Sequence, residues 1–416
     1  MLKEILFISY HFPPFSKILS IRAAEFTQRL VNNGYKIFVV SAKSNKNDYK
    51  DRELLKKVNS PMIKNTKVFN LSFSKEGFQS NIKKTTLYFE LFNLVLFLHW
   101  IPFAFLASRR IVKKNNIKLI YVSAPPFFTL LLGFLLKFSC KIPLIIEYRD
   151  PWSYNPYLKD TMTNAFENFY LKMEKKILES ADRIIAISEG MKKFLLENFS
   201  ETKSKRIHVI PHGINVDDIE KITKRSNNPK EITFTFTGNL YGLRDLEPLV
   251  KIVSTSHKLG KLNDISLNIK IFGRYDSKHL TSLFKKYDVS KYFHLGGFVP
   301  REVCLEEVYN SSLALHVGEN LNYPTLSFKV LEYLSMRKKI VYIGREESHT
   351  AKFLKDNGLG ITLPINSIEI GISRFEELLE RIKNGEINTV LDSKDLQEFT
   401  WDKRTSDLMK IFNLLC

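Results

Sequence analysis

The segment from Tyr323 to Gly344 combines two ionisable side chains with a pattern that predicts a loop, a helix and a hydrophobic strand. Lys329 falls in the first turn of the predicted helix, where unpaired backbone N–H groups and the helix dipole already favour an anion such as a diphosphate. Glu332 lies one turn later on the same face, about 5 Å away, where its carboxylate could accept the hydroxyl protons of a ribose. The spacing is consistent with a nucleotide diphosphate site, although the same pair is also common on solvated helix surfaces.

A glycine-containing turn, Thr237 to Arg244, follows one predicted strand and precedes a predicted helix. Gly238 and Asn239 would let the backbone approach a ligand closely. Arg244 carries a guanidinium that keeps its charge at any relevant pH and can bind phosphate through two parallel hydrogen bonds. The turn is thus a candidate phosphate contact, although an ordinary strand-to-helix connection would have the same pattern.

Two further turns end predicted strands in the second half, Phe272 to Tyr275 and Leu295 to Pro300. Both could line a pocket for a flat base or a ribose through main-chain groups, and Arg274 belongs to the first of them. In the second, consecutive glycines precede Phe298 and Val299, which permits stacking and close approach of the backbone. A Gly-Gly-x-x-Pro turn also forms without a ligand, so the sequence leaves both interpretations open.

Charged and aromatic side chains also follow two predicted strands in the first half. Arg149, Asp150 and Trp152 combine a fixed cation, a carboxylate and an aromatic ring suited to contact with a sugar. A surface Arg–Asp pair is the alternative, but the position at a strand end favours a functional role. Lys17 and Arg22 follow the first predicted strand and are candidate anion contacts.

These candidates lie at the ends of predicted strands, which alternate with helix-length amphipathic segments. In the first half the predicted strands are Ile5–Ser9, Ile37–Ser41, Leu119–Val122, Leu144–Tyr148, Ile184–Ile187 and Val209–Ile210. The pattern then repeats with Thr233–Thr237, Ile269–Phe272, Phe293–Leu295, Leu313–His316 and Ile340–Ile343. Nearly continuous apolar strands in this alternation predict an α/β protein of two doubly wound, Rossmann-like parallel-sheet domains that face each other across a central cleft.

The length of 416 residues also favours two domains. Hydrophobic periodicity stops, and turn-forming residues collect, between Arg225 and Lys230. We predict an N-terminal Rossmann-like domain over residues 1–218 and a C-terminal Rossmann-like domain over residues 219–398. A C-terminal helix over residues 399–416 is expected to cross back to the first domain.

The charge of the chain is uneven. The net charge is +19, and residues 1–200 hold 31 Lys and Arg against 16 Asp and Glu, so the first half would attract anionic partners. Nucleic acid is one possible partner, but no recognition motif accompanies the charge, so we expect no nucleic-acid ligand. An anionic membrane surface is the other.

An apolar stretch from Leu87 to Leu106 supports the membrane interpretation. It is flanked by Lys83, Lys84, Arg109, Arg110, Lys113 and Lys114, and it is interrupted by Glu90, Asn93, His99 and Pro102. The interruptions argue against a spanning helix. An interfacial helix on anionic lipid and a core helix with solvated ends both fit. Because the chain starts with a strand-like run and no leader pattern, we expect a cytoplasmic protein.

The sequence contains no motif for a bound metal or cofactor. Cys140, Cys304 and Cys416 lack the spacing of a zinc site. No Asp-x-Asp, Gly-x-Ser-x-Gly, Walker A or complete Gly-x-Gly-x-x-Gly pattern occurs. We therefore expect Arg, Lys and helix N-termini to neutralise a diphosphate without a divalent metal or a cofactor.

Eight short motifs are spread over nearly the whole chain. They are Tyr10–Pro14, Val122–Pro126, Arg149–Trp152, Ala181–Ser188, Val209–Gly213, Phe236–Asn239, Gly297–Pro300 and Phe328–Leu334. In order and spacing they resemble the group 1 glycosyltransferases, which make up glycosyltransferase family 4 and have the GT-B fold. The resemblance implies retaining transfer of a sugar from a nucleotide-diphosphate sugar. It suggests a lipid-linked or oligosaccharide acceptor in surface polysaccharide synthesis, such as lipopolysaccharide or capsule, on the inner face of the cytoplasmic membrane.

The resemblance also implies roles for individual residues. Glu332 matches the second Glu of a Glu-x7-Glu element that holds the donor ribose, Lys329 matches the lysine of its Gly-Lys-Leu-Phe-Glu-Tyr variant, and Arg244 matches a basic residue that helps neutralise the departing diphosphate. The implied catalytic residues are Arg244, Lys329 and Asp150. Donor contacts, in the second domain, are Gly238, Asn239, Arg244, Arg274, Phe298, Val299, Ser327, Phe328, Lys329 and Glu332. Acceptor or cleft contacts, in a membrane-facing first domain, are Lys17, Arg22, Arg149, Asp150 and Trp152.

The sequence departs from the family pattern at four places. Pro324 stands where the first Glu would be, Asn239 replaces an Arg, Phe328 replaces a Gly, and no glycine pair follows Pro14. A catalytically inactive, membrane-associated scaffold of the same fold is therefore the alternative to an enzyme.

Overall fold

The structure, a computed structural model, describes residues 3–15, 18–44, 50–69, 86–153, 164–199, 206–215, 222, 231–240, 244–318, 326–386 and 396–415. Lys17, Pro324 and the predicted domain boundary at residues 218 and 219 lie outside these ranges. Contacts divide the chain into two compact units, one of Met1–His212 with Trp401–Cys416 and one of Gly213–Thr400.

Within the described ranges, the first unit contains a seven-stranded parallel sheet in the order β3-β2-β1-β4-β5-β6-β7. Its strands are β1 Lys3–Ser9, β2 Tyr35–Ala42, β3 Ile63–Val68, β4 Ile117–Ala124, β5 Leu144–Tyr148, β6 Arg183–Ala186 and β7 Ile207–Val209. The central strand β1 pairs with both β2 and β4, so Ile5 lies beside Ile37 and Leu119. The strand order reverses between β1 and β4, and ligands of such sheets bind beyond the strand ends at this reversal.

Helices cover this sheet. They are α1 Ile18–Asn32, α2 Arg52–Lys57, α3 Thr86–Lys114, α4 Phe128–Cys140, α5 Asn164–Ser180, α6 Glu189–Asn198 and, from the end of the chain, Trp401–Asn413. The last of these packs on α1. Trp401 lies edge-on to Phe26, and Phe412 lies edge-on to Tyr35, and all four rings are buried. The end of the chain is therefore part of the core of the first unit.

Helix α3 is only partly a core element. Trp100 and Ala104 are fully buried, whereas Phe103 and Leu106 are more than half exposed. Pro102 lies inside the helix. Of the helices in the described ranges, none combines the length and apolarity needed to cross a bilayer.

In the described ranges, the second unit contains a six-stranded parallel sheet in the order β10-β9-β8-β11-β12-β13. Its strands are β8 Glu231–Thr237, β9 Ser266–Phe272, β10 Phe293–Gly297, β11 Leu313–Val317, β12 Ile340–Gly344 and β13 Gly360–Pro364. Its helices are α7 Glu247–Lys258, α8 Ser277–Lys286, α9 Arg301–Tyr309, α10 Phe328–Ser335, α11 His349–Asp356 and α12 Ile368–Lys383, which makes Trp401–Asn413 helix α13. Each sheet is doubly wound, and the predicted α/β fold of two Rossmann-like units is confirmed.

Candidate functional site

The carboxylate of Glu332 is the centre of the candidate site. It is buried in α10, and each of its oxygens contacts a cation. Lys329 Nζ donates to Oε2 at 2.7 Å. Arg301, the first residue of α9, donates through Nε and Nη2 to Oε1 at 3.1 and 2.9 Å. The predicted pair of Lys329 and Glu332 is therefore present, and Arg301 joins it from a second helix.

Electrostatics keep this group ionised. Burial acts to raise the pKa of Glu332, but Lys329 and Arg301 outweigh burial and hold that pKa below its ordinary value. Burial also acts to lower the pKa of Lys329, and Glu332 overcomes it, so the pKa of Lys329 lies above its ordinary value. The site thus holds a buried carboxylate and an ammonium that are both charged near neutral pH.

Two contacts fix the start of α10. The hydroxyl of Ser327 caps the helix by accepting from the backbone N–H of Lys329 at 3.3 Å. The buried hydroxyl of Tyr333 accepts from the backbone N–H of Thr237 at 2.9 Å and donates to the carbonyl of the same residue at 3.1 Å. The helix is thereby joined to the carboxyl end of β8, so Lys329 and Phe328 in its first turn lie beside that strand end.

His316 interacts electrostatically with both cations of the predicted phosphate site, Arg244 and Lys329. It lies near the carboxyl end of β11, is buried, and stacks on Tyr342 with ring centroids 5.7 Å apart. Burial, with Arg244 and Lys329 as the next contributions, lowers the pKa of His316 to about 3. Both cations therefore act on the same neutral imidazole. Arg244 itself is half-exposed and donates through Nη1 to the carbonyl of Asn239 at 3.4 Å.

The turn after β8 lies against the turn after β9. The backbone N–H of Gly238 donates to the carbonyl of Phe272 at 2.9 Å, and the side-chain oxygen of Asn239 accepts from the backbone N–H of Arg274 at 3.2 Å. A Cβ at Gly273 would lie 1.7 Å from the carbonyl oxygen of Gly238. Only glycine fits there, so the two turns form one packed strand-end surface.

Arg274 and Phe298 form the most exposed part of this surface. Phe298 is 72% exposed, and the guanidinium carbon of Arg274 lies 5.1 Å from its ring centroid, in a cation–π arrangement. Val299 follows Phe298 and is half-buried. An exposed ring beside a guanidinium offers two flat surfaces suited to stacking on a base.

In the first unit, two predicted site residues are buried in ion pairs. Arg22 Nε donates to Glu147 at 2.6 Å, and its two terminal nitrogens donate to the carbonyls of Ile210 and Pro211 at 2.9 and 2.8 Å. Arg149 Nε donates to the carbonyl of Ala124 at 2.8 Å and lies 3.7 Å from Glu147. Both guanidinium groups hold strands and loops together within this unit.

The two predicted site residues that follow Arg149 differ in their exposure. Trp152 is buried and stacks on Phe127 with ring centroids 5.4 Å apart, so its ring packs in the core of the unit. Asp150 is half-exposed at the turn after β5. Of the predicted acceptor residues that the structure describes, Asp150 alone is more than marginally exposed.

Arg301 is the residue that sequence inspection missed. It follows Pro300 at the end of the turn from Leu295 to Pro300, but its partner Glu332 is 31 positions further along the chain.

In the described ranges, no cluster of three or more His, Cys, Asp or Glu side chains has the geometry to hold a metal ion.

Two comparisons relate the amino-acid sequence to known glycosyltransferases. Residues 19–218 match the family model described as Glycosyltransferase Family 4. The uncharacterized glycosyltransferase MJ1069 of Methanocaldococcus jannaschii is 28% identical over 304 residues, which cover 70% of this chain and 73% of that protein.

Two solved structures show the fold over nearly the whole chain. Anabaena HepE, solved in complex with UDP, has a TM-score of 0.64 at 11% identity and covers 100% of both chains. The apo lipopolysaccharide outer core galactosyltransferase WaaB has a TM-score of 0.60 at 14% identity and covers 98% of this chain and 99% of its own. Together, the matches show that the chain has the GT-B fold, matches the model of glycosyltransferase family 4 through most of its first unit and resembles the group 1 glycosyltransferases.

Proposed function

We propose that the second unit binds a nucleotide-diphosphate sugar at the start of α10 and at the neighbouring strand ends. The observation that carries this proposal is the buried, ionised carboxylate of Glu332, which lies one turn after Lys329. A carboxylate accepts hydrogen bonds at up to four positions. Glu332 can therefore accept from both hydroxyl groups of a ribose once Lys329 turns from it to the diphosphate.

The leaving diphosphate would be neutralised by protein charges. Sugar transfer breaks the bond between the anomeric carbon and a diphosphate oxygen, and the electron pair leaves with that oxygen. Lys329, Arg244 and the backbone N–H groups of Ser327 and Phe328 would stabilise the developing negative charge without a divalent metal. A preorganised contact of this kind typically contributes on the order of 10²- to 10³-fold in rate.

The base would lie on the exposed surface formed by Arg274 and Phe298. The ring of Phe298 would stack on it, and the main chain at Val299, Gly238 and Asn239 would contact its edge or the phosphates. Retention of configuration follows if the acceptor hydroxyl attacks from the face that the diphosphate leaves. Its attack releases a proton, and a phosphate oxygen of the leaving group would accept it.

We further propose a lipid-linked glycan acceptor in surface polysaccharide synthesis. The fold that the chain shares with WaaB supports this acceptor class. In the first unit, the half-exposed Asp150 would contact the acceptor sugar. Phe103 and Leu106 on α3 and Phe138 on α4 are exposed, and the two helices pack together. With Arg109, these apolar residues would form the surface that contacts anionic lipid at the inner face of the cytoplasmic membrane.

Thermal stabilisation tests the donor site. The melting temperature of the purified protein is measured with UDP, GDP, CMP and ADP, with and without EDTA. We expect one nucleotide to raise it selectively in both conditions, and Glu332→Gln to abolish the rise. Glu377→Gln, at an exposed ion pair with Arg381 on α12, is the control. An inactive scaffold predicts no shift with any nucleotide, and an unchanged shift in Glu332→Gln would place the nucleotide elsewhere.

A further inference from the structure

Arg301 provides Glu332 with a second cation that the proposed donor chemistry does not use. Its guanidinium is bound side-on to Oε1, while Lys329 takes Oε2. The Glu332 side chain is 4% exposed, whereas that of Arg301 is 45% exposed. The carboxylate is thus inside the protein, and Arg301 reaches it from the surface end of α9.

Two cations contact the Glu332 carboxylate directly. Glu332 also interacts with Tyr333 on α10 and Cys304 on α9, and its neighbours interact in turn with the exposed Glu302 on α9 and with His316 on β11. Burial raises the pKa of Cys304 and that of Tyr333, and it lowers that of His316, so these three groups are neutral. Two cations therefore balance one carboxylate.

The second cation matters for donor binding. In the ligand-free protein, Lys329 Nζ lies 2.7 Å from Glu332, yet the proposed chemistry requires Lys329 to contact the diphosphate. If Lys329 were the sole cation, its movement would leave a buried carboxylate without a partner, which is strongly unfavourable. With Arg301 in place, the carboxylate keeps a charged partner throughout.

We propose that Arg301 is a positioning residue, which holds and charge-balances Glu332 while Lys329 moves from Glu332 to the donor diphosphate. This inference rests on the proposed function. Because both Arg301 hydrogen bonds go to Oε1, the departure of Lys329 leaves the two acceptor positions of Oε2 available to the ribose hydroxyls. Arg301 itself touches neither the sugar nor the reacting atoms.

Nucleotide affinity tests this role. Isothermal titration is performed from pH 5 to pH 8 without metal, using whichever of UDP, GDP and ADP stabilises the wild-type protein. We expect Arg301→Ala to weaken binding at least tenfold and to weaken it progressively more, relative to wild type, as the pH falls. The reason is that Glu332 in this variant keeps only Lys329 as a cationic partner, so its pKa is higher than in wild type and it is protonated at a higher pH. Arg301→Lys should recover most of the affinity at pH 8.

Arg381→Ala is the matched control. Arg381 has a similar exposure of 48% and lies 3.5 Å from its own carboxylate, Glu377. We expect it to bind as wild type at every pH. A ratio of variant to wild-type affinity that stays constant with pH would indicate a direct phosphate contact and overturn the positioning role. Unchanged affinity in Arg301→Ala would overturn it as well.

A ligand-free measurement separates this inference from the proposed function. Melting temperatures of the wild-type protein, Arg301→Ala and Arg381→Ala are compared between pH 4 and pH 7. A carboxylate whose pKa is depressed by folding stabilises the protein above its unfolded pKa and loses that effect as the pH falls. Arg301→Ala should lose it at a higher pH than wild type and Arg381→Ala. Identical profiles would overturn the positioning role even if nucleotide binds, whereas a shifted profile without nucleotide binding would contradict the proposed function alone.

Discussion

Arg244 and Lys329 would share the charge of the diphosphate, but they contribute differently to the folded protein. Lys329 is tied to a buried carboxylate at 2.7 Å. Arg244 is half-exposed, and its hydrogen bond to the carbonyl oxygen of Asn239 is long, at 3.4 Å. Removing Arg244 should therefore affect catalysis far more than folding.

The first prediction concerns these two cations. Arg244→Ala and Lys329→Ala should each lower turnover at least tenfold, because each removes a charge that stabilises the leaving group. Only Lys329→Ala should also lower the melting temperature, since it leaves Glu332 with one cation. Sugar transfer is measured with the donor that the nucleotide screen identifies. Arg345→Ala, which removes an exposed ion pair with Glu347, is the control. Wild-type turnover in both variants would refute the assignment.

Glu174 is a buried carboxyl group with a different environment. Its Oε2 accepts from the backbone N–H and the hydroxyl of Ser153, and its Oε1 has no hydrogen-bond partner among the described residues. Burial raises the pKa of Glu174 to about 8. No cation in the described ranges pairs with it, so the group is neutral in the folded protein at neutral pH.

The second prediction follows from that raised pKa. The folded state holds a proton that the unfolded state releases, so stability falls as the pH rises from about 5 to about 8, by on the order of 1 kcal/mol per pH unit at most. Glu174→Gln should remove this loss. Urea unfolding of both proteins at pH 5, 6.5 and 8 measures it. The free energy of unfolding of the variant should gain on wild type at higher pH, and a difference that does not change with pH would contradict the assignment.

Sequence patterns predicted part of this residue-scale picture. Lys329 and Glu332 were recognisable because helical spacing alone brings them together. Arg301 was not, because its contact with Glu332 depends on how α9 and α10 pack. Arg22 looked like an anion contact and Arg149 like a cleft residue, but their partner, Glu147, lies on β5 and is buried between them. A buried internal partner cannot be read from a charged residue in a loop.

At the level of elements, the side chain of Tyr333 joins α10 to the end of β8. The hydroxyl of Tyr333 serves both backbone groups of Thr237 at the end of β8. This contact fixes the distance between the helix start and the strand-end turn that carries Arg244. It is therefore where folding and donor binding depend on the same atoms.

The third prediction is that Tyr333→Phe destabilises the protein by about 1–3 kcal/mol, because the buried N–H of Thr237 loses its acceptor. Nucleotide affinity should fall as well, since α10 is no longer fixed to β8. Urea unfolding and the nucleotide thermal shift measure the two effects. The control is Tyr292→Phe. The hydroxyl of Tyr292 lies 3.0 Å from His257 Nδ1, in a contact that is not part of the site, so its loss should lower the free energy of unfolding less and leave nucleotide affinity unchanged. Equal behaviour of the two variants would contradict this role of Tyr333.

Most strands could be predicted from continuous apolar runs, but two could not. β3 alternates half-buried and exposed residues over its first four positions, and β13 is half-buried over three of its five residues and ends in Pro364. Both lie at the edges of their sheets. An edge strand has a neighbour on one side only and needs fewer apolar residues, so hydrophobic runs underpredict it.

On the scale of the whole molecule, the charge of the chain is concentrated before residue 200. The C-terminal part of α3 joins this charge to apolar surface, because Phe103 and Leu106 are exposed shortly before Arg109 and Arg110. Anionic membranes and nucleic acids would both be attracted by charge, but only a membrane also accommodates the exposed apolar side chains.

The fourth prediction uses this distinction. Replacing Arg109, Arg110, Lys113 and Lys114 with Gln should release the protein from anionic vesicles, because each basic residue near the surface contributes roughly 1 kcal/mol. The control replaces four exposed residues of the second unit with Gln, which changes the net charge by the same amount. These are Lys278, Lys285, Lys286 and Lys291. Co-sedimentation with vesicles of neutral and anionic lipid is measured, with and without competing RNA. The control should sediment as wild type. Equal loss in both variants would reduce the effect to net charge, and displacement by RNA would favour nucleic acid over lipid.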